Sequence, residues 1–453
     1  MYIDIKKAHL APLCESDVYV ELPTEAEVHE DECGKLIHWL YGCRPAAQAW
    51  EEHYSALLVK EGFRRMQTVP VVFVHEQRDL CGVVHGDDFV WVGLDDDLSW
   101  VLKVLENAYE LKNRGRSGLD EGDLRKIDIL GRIIEINDEG ITWKGDPRHL
   151  DILKGYFGMN DRTKALTKNG YDDDREQGGR AEEDDELTGV ECKNFRTLAA
   201  RLNYMAQDNP TIQFPAKEVC RRMAKPRPQD FASVKRIVRF MMGVPIVKFE
   251  FKWQEESEAK RVQVFVDSDW AGCKVTRKST SGGVLKVGQH IIRTWSSTQS
   301  TVATSSGEAE LLSMYDGAAR GVGLLSILSE MGVAPVLSLV QVRTDSAVAK
   351  SFTATRGLGK MRHVEVKLLW LQEQVHRGRL QVLKVSGIRN IADTLTKFHS
   401  VSSLQSLMKP HGITFGPASR DCWAEGGCEQ KYSEGEVPAC QCVASARVCV
   451  LQR

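Results

Sequence analysis

Four acidic residues, Asp267, Glu310, Asp345 and Asp393, are spaced by 43, 35 and 48 residues, and each stands at the edge of a different predicted element. Asp267 lies in Val266-Asp267-Ser268-Asp269-Trp270-Ala271-Gly272, and Glu310 in Ser305-Ser306-Gly307-Glu308-Ala309-Glu310. Asp345 lies in Thr344-Asp345-Ser346, and Asp393 in Ile391-Ala392-Asp393-Thr394-Leu395-Thr396-Lys397. Acids so far apart in sequence, each where a strand ends or a helix starts, can converge on one point of a folded sheet. Clustered carboxylates repel one another unless a positive charge sits among them, so a divalent cation, Mg²⁺ or Mn²⁺, is the natural occupant. That arrangement suits phosphodiester hydrolysis by two metals about 4 Å apart, one activating water and one stabilising the leaving oxygen. Taken singly, each acid is as well explained as a helix cap or a solvated loop charge.

The context removes that ambiguity. Between the acids lie Arg277-Lys278-Ser279-Thr280-Ser281-Gly282-Gly283, Trp295-Ser296-Ser297 and Lys360-Met361-Arg362-His363-Val364-Glu365-Val366. In this order the segments resemble the ribonuclease H domain of copia-type (Ty1/copia) LTR retrotransposons. The resemblance implies that Asp267, Glu310, Asp345 and Asp393 are the metal-binding carboxylates and that the substrate is an RNA–DNA hybrid. It also places His363 near the site, where it would assist proton transfer or product release; the alternative for His363 is a residue hydrogen-bonded to backbone at a helix start. Asp269 and Glu308 are expected to stand outside the metal shell. Lys274, Arg277, Lys278 and Arg293 are candidates for backbone-phosphate contacts, each equally explained as a solvated charge.

A second set of carboxylates lies upstream. Asp4 in Asp4-Ile5-Lys6-Lys7-Ala8-His9-Leu10 and the pair Asp87-Asp88 would form a triad with the same two-metal logic, applied to nucleotide polymerisation. An Asp-Asp pair alone is weak, since turns are full of them; Asp95-Asp96-Asp97 is expected to be such a turn. Tyr19-Val20-Glu21-Leu22-Pro23, Leu40 to Trp50, Ile129 to Glu135 and Tyr204 to Pro210 resemble the reverse transcriptase and connecting region of the same family. There are departures. The family's Tyr-Val before the two aspartates is His85-Gly86 here, and its Leu-Lys-Gln is Cys43-Arg44-Pro45. The chain also begins almost at the first catalytic aspartate. The expectation is therefore the C-terminal part of a pol polyprotein, with a truncated and impaired RNA-directed DNA polymerase region.

Apolar periodicity supplies the elements that would position these acids. Val71–Val74 and Leu80–Val84 read as strands, Phe89–Val92 as a third, with Asp87-Asp88 at the hairpin tip, and Ala46–Glu61 reads as a helix. Ile127–Ile136 and Gly140–Trp143 read as another hairpin. Residues 161–190 are polar, acidic and aperiodic, a linker. Residues 191–250 look helical. From Arg261 come a strand, a hairpin turning near Gly288, a helix over 308–330 with Leu311, Leu312, Tyr315, Ala319, Val322 and Leu325 inward, a strand at Leu339–Arg343, a short helix from Ser346, a helix over 364–376, a strand at Leu380–Val385 and a helix from Asn390.

The fold class is α/β: an α+β palm followed by a ribonuclease H-like mixed five-stranded sheet with helices on both faces. The expected divisions are 1–160, a palm and thumb-like region; 161–190, the linker; 191–255, a helical connection; 256–405, the ribonuclease H-like domain; and 406–453, a cysteine-containing disordered tail.

At 453 residues the chain has room for two or three cores. The net charge of −3 conceals an asymmetry: residues 171–190 carry nine acids and two arginines, leaving the rest of the chain at +4. A mildly basic body suits a polyanion, weakly. Met1 to Lys7 lacks the apolar run of a signal peptide, and no apolar stretch reaches the roughly 20 residues that span a bilayer. The twelve cysteines include no CxxC pair, which fits free thiols in an intracellular setting, with cytoplasm or nucleus left open.

Two further readings stand beside the enzyme. One is a decayed or host-adopted remnant that grips nucleic acid without chemistry, motivated by His85-Gly86 and the missing upstream segment. The other is a remnant without function.

Overall fold

The computed structural model describes residues 1–26, 29, 32–170, 186–259, 261–333, 339–358 and 365–416. The chain divides into two units, Met1–Arg125 and a second that starts at Lys126. Both mix helices with sheets, as an α/β fold requires.

The first unit is built on a six-stranded antiparallel sheet. Its order is Arg64–Arg65, Val72–His75, Leu80–His85, Asp88–Val92, Tyr2–Ile5, Leu111–Gly115. Helices Ala46–Lys60 and Asp95–Ala108 supply Trp50, Tyr54, Leu58, Leu98, Val101 and Leu105 to one core with Ile3, Phe73 and Phe89 of the strands. Asp95, Asp96 and Asp97 do not form the surface turn expected from sequence. They are the first turn of the second helix, where three carboxylates meet the positive end of the helix dipole.

The expected boundary at residue 160 is displaced to 125/126 for a pairing reason. Strands Lys126–Ile129, Arg132–Asn137 and Gly140–Gly145 join Ile246–Lys252 and Ile413–Gly416 in a second antiparallel sheet of five. The residues that read as the end of a palm are therefore one edge of the connection region. Helices Arg148–Tyr156, Gly189–Gln207, Gln213–Cys220 and Pro228–Gly243 share a core with this sheet through Leu153, Phe195, Leu202, Ile237 and Phe249. The expected disordered tail of 406–453 fails over 406–416 for the same reason, since Val401–Met408 is a helix and Ile413–Gly416 a paired strand, while 417–453 lie outside the described residues. Of the acidic linker, residues 171–185 lie outside the described residues, as do the five cysteines beyond residue 416.

The third sheet is the expected mixed sheet of five. Its order is His290–Thr298, Thr280–Val287, Val262–Asp269, Val340–Thr344, Leu380–Lys384. The first three are antiparallel, and the last two run parallel to Val262–Asp269. Helix Ser306–Glu330 lies on one face, with Ala347–Ala354 and Leu369–His376 beside it. Its inward stripe runs through Leu311, Met314, Ala318, Leu324 and Leu328, while Ala319 points outward. Gly317 and Gly321 bring the helix close to the sheet: a Cβ at Gly317 would stand 2.4 Å from Val266 Cγ1. The opposite face is covered by the connection region, whose core includes Phe265, Val284 and Ile291. All eight residues of Thr280–Val287 are buried, as in a strand covered on both sides.

Candidate metal centre

Asp267 comes from the Val262–Asp269 strand, opposite Gly282 of its neighbour. Alternation along the strand would send Asp267 and Phe265 to one face, and Asp267 is indeed buried, 3% exposed. Gly282 makes room there: a Cβ would stand 2.7 Å from Thr396 Cγ2 and 2.9 Å from the Ala392 carbonyl. Into that space comes the 3₁₀ turn Ile391–Leu395, started by the Asn390 side chain, which accepts from Ala392 N. The buried Asn390 also donates from Nδ2 to the Val266 carbonyl at 2.9 Å. Asp393 thus sits in a tethered turn rather than in the full helix expected from Asn390.

Glu310 lies near the start of helix Ser306–Glu330. Ser305 Oγ caps that helix by accepting from Glu308 N at 3.2 Å, and Glu308 Oε2 accepts from Thr304 N and Oγ1 at 2.7 and 2.8 Å. Glu308 therefore builds the helix start and does not face a metal. Ser313 Oγ donates to the Asp267 carbonyl at 2.7 Å, fixing the helix to the strand one turn beyond Glu310. Asp345 follows the Val340–Thr344 strand, where Thr344 Oγ1 and Ser346 Oγ organise the turn into the next helix. Gly387 approaches Asp345 closely: a Cβ would stand 2.9 Å from its Oδ2.

Asp267, Glu310 and Asp345 converge, with one ligand atom of each within 4.8 Å of the others. Among the described residues they form the only such trio of acidic, histidine or cysteine side chains. Burial pushes the Asp267 carboxyl up to about 7, with Asp393 and Asp345 adding to the effect. Burial likewise pushes Glu310 up to about 8, reinforced by Asp267 and Asp345. Glu310 Oε2 is buried and has no hydrogen-bond partner. An orphaned buried oxygen beside two more carboxylates is costly as it stands and fits a hard, oxygen-seeking cation.

Asp393 stands outside the trio. Its Oδ1 accepts from Lys397 Nζ, and its Oδ2 lies 3.1 Å from His399 Nε2. Burial opposes its ionisation, yet His399 and Lys397 hold its carboxyl below the usual aspartate range. Asp267 Oδ2 accepts from Thr396 Oγ1. Asp269 accepts from Thr280 N and closes the neighbouring loop. His363 lies outside the described residues. Lys274 and Arg277 are exposed in the loop that follows the Asp267 strand.

Sequence reasoning gave no role to Ser313, Asn390 or His399. Thr396 and Lys397 were visible only as the end of a motif. No local pattern marks Ser313, Asn390 or Thr396, whose partners are 46 to 129 positions away, or the backbone of His399, bonded to a residue 230 positions away; Lys397 and the His399 ring instead meet Asp393 four and six positions back.

In the first unit Asp4 and Asp88 face each other across adjacent strands, with Asp87 exposed in the turn before Asp88. They do not assemble into a trio of the kind formed by Asp267, Glu310 and Asp345. Asp4 Oδ2 accepts from Arg114 Nη2, and Tyr2 Oη donates to Asp88 Oδ1 at 2.5 Å. Trp50 Nε1 donates to the Gly86 carbonyl at 2.8 Å and pins the turn that carries Asp87. No helix among the described residues is long and apolar enough to cross a membrane.

No family model matches the chain. The retrovirus-related Pol polyprotein from transposon RE1 of Arabidopsis thaliana is 25% identical over 428 residues, covering 92% of this chain and 28% of that protein. The corresponding polyprotein from transposon TNT 1-94 of Nicotiana tabacum is 24% identical over 411 residues, covering 87% of this chain and 29% of that protein. The chain thus spans less than a third of the length of these relatives. Among solved structures, a foamy viral protease-reverse transcriptase in complex with RNA/DNA hybrid aligns with 85% of this chain and 44% of its own, at 12% identity and a TM-score of 0.47. A likeness that loose carries no argument here. The sequence relationship does: along most of its length the chain is a relative of the Pol polyproteins of copia-type retrotransposons.

Proposed function

We propose that the second unit is a divalent-cation-dependent ribonuclease H that hydrolyses the RNA strand of RNA–DNA hybrids. The observation that carries this reading is the convergence of Asp267, Glu310 and Asp345 around the unpartnered Glu310 Oε2. These three would hold Mg²⁺ or Mn²⁺, with Asp393 on the flank. When bound, two such ions would supply an activated water and charge stabilisation at the leaving oxygen. The chain's own residues do the positioning. Ser313 and Asn390 fix the Glu310 helix and the Asp393 turn to the Asp267 strand, and the exposed Lys274 and Arg277 would contact backbone phosphates. Selection of RNA would rest on its 2′-hydroxyl and on hybrid shape. In the cell the protein would act as an intracellular retroelement enzyme, alone or with the rest of a pol polyprotein.

The test is cleavage of a labelled hybrid by the full chain in Mg²⁺, beside Asp345→Asn. Products ending in 3′-hydroxyl and 5′-phosphate, lost in the variant, are expected. A folded wild-type chain that binds hybrid and never cuts it would instead favour a nucleic-acid-binding remnant.

For the first unit we propose an impaired polymerase palm. Arg114 on Asp4 and Tyr2 on Asp88 favour this reading, since both occupy carboxylate oxygens that metal binding would need. Primer extension on an RNA template should be absent, and robust extension by the wild-type chain would overturn it.

A further inference from the structure

The four carboxylates of the nuclease cluster do not offer the same thing to a cation. Glu310 has a buried oxygen with no partner. Asp393 has both oxygens engaged, Oδ1 by the Lys397 ammonium and Oδ2 by His399 Nε2 at 3.1 Å. His399 is itself anchored. Its Nδ1 is 2.9 Å from Ser403 Oγ, and its backbone N–H donates to the buried Asn169 at 2.7 Å. Lys397 is tethered only at its tip, and its side chain is 54% exposed against 21% for Asp393. Its charge also acts on Asp267 and Asp345, so one ammonium serves three of the four acids.

We propose that Lys397 is a resident cation of this site: it fills the Asp393 side, so the free protein takes up one divalent ion tightly, at Asp267, Glu310 and Asp345, and a second only weakly. This rests on reading the trio as a metal centre. Charge balance supplies the reason. Once a divalent ion has displaced the protons of Asp267 and Glu310, the four carboxylates carry four negative charges, of which that ion and one ammonium neutralise three. A second divalent ion overshoots, unless Lys397 swings into solvent or a phosphodiester brings negative charge of its own. Because the lysine is half-exposed and its ion pair is with Asp393, it can swing into solvent without breaking the turn, giving up its attraction to the three acids. Lys397 thereby couples occupancy of the second metal position to the presence of nucleic acid.

The test counts Mn²⁺ ions bound to the full chain, without nucleic acid, from the free-Mn²⁺ paramagnetic resonance signal. Wild type should bind one ion tightly and a second at least about tenfold more weakly, the scale of repulsion between partly solvated like charges. Lys397→Met should tighten the second site by about tenfold and leave the first unchanged. Lys397→Gln, which keeps a donor for Asp393 without the charge, should behave like Lys397→Met, and Lys397→Arg should behave like wild type. Two equal sites in wild type, or a second site indifferent to Lys397, would overturn the proposal. If wild type binds no ion and cuts no hybrid, the metal-centre reading fails and takes this inference with it. If wild type cuts hybrid and its second site ignores Lys397, only the inference fails.

Discussion

Replacing Asp267 by asparagine should stabilise the metal-free protein, and only at neutral to alkaline pH. Burial and two neighbouring carboxylates raise the Asp267 carboxyl from an ordinary 3.8 to about 7. A carboxyl whose pKa rises on folding keeps a proton that the unfolded chain has released, so folding gains at low pH. That gain is whole below about pH 4 and is lost step by step as pH climbs to about 7. Three pKa units correspond to stability on the order of 4 kcal/mol. The substituted amide cannot ionise, yet its oxygen can still accept from Thr396 Oγ1, as the carboxylate does. The difference between Asp267→Asn and wild type should therefore be near zero at pH 3, about 1 kcal/mol at pH 4.5, and a few kcal/mol in favour of the variant by pH 8. Urea unfolding of both proteins in EDTA at four pH values measures it. Saturating Mg²⁺ should reverse the order at pH 8, because bound cation stabilises only wild type strongly. A difference that stays flat with pH, or a variant less stable than wild type at pH 8 in EDTA, would refute the reasoning.

Three further outcomes follow from contacts. Gly317→Ala should lose about 1 kcal/mol net, since overpacking against Val266 exceeds the helix-propensity gain, and should slow hybrid cleavage by shifting Glu310; denaturation and cleavage rates check it together. Asn390→Ala removes the buried bond to the Val266 carbonyl and should cost about 1–3 kcal/mol, read as lost amide protection in peptides spanning 262–269 and 390–396. Trp50→Ala should cost the first unit about 3–5 kcal/mol and loosen the turn at Gly86, seen as faster hydrogen exchange in peptides covering 80–92.

Much of the mixed five-stranded sheet could be read in the sequence because its strands are long and most lie beside a motif. Asp267, Glu310 and Asp345 are named by that pattern, and the structure brings them together. What could not be read depends on partners remote in sequence. Ile413–Gly416 is four residues, too short for a period, and pairs with a strand about 165 positions earlier. Asp95-Asp96-Asp97 looks like a turn because acids favour turns, but the same acids favour helix starts. The stripe of helix Ser306–Glu330 is misread at Ala319 because its contact face runs through Gly317 and Gly321, which a search for apolar residues passes over. The ion pair on Asp393 depends on how a turn folds back, and composition cannot supply that.

The pairing of Ile246–Lys252 with Ile413–Gly416 makes the mixed five-stranded sheet an insertion. The chain leaves one strand of the connection sheet, builds the whole mixed sheet with its helices, and returns as the adjacent strand. The two ends of the insert are hydrogen-bonded to each other like the jaws of a clasp. Phe265, Val284 and Ile291 on the back of the mixed sheet share their core with Leu404, Met408 and Ile413. A cassette cut at 256 and 405 would open the clasp and strip that back face. The smallest stretch that keeps the acidic cluster intact is therefore Lys126 through Gly416, and Asp267, Glu310 and Asp345 should lose their alignment when the clasp is cut, even though none of them belongs to it.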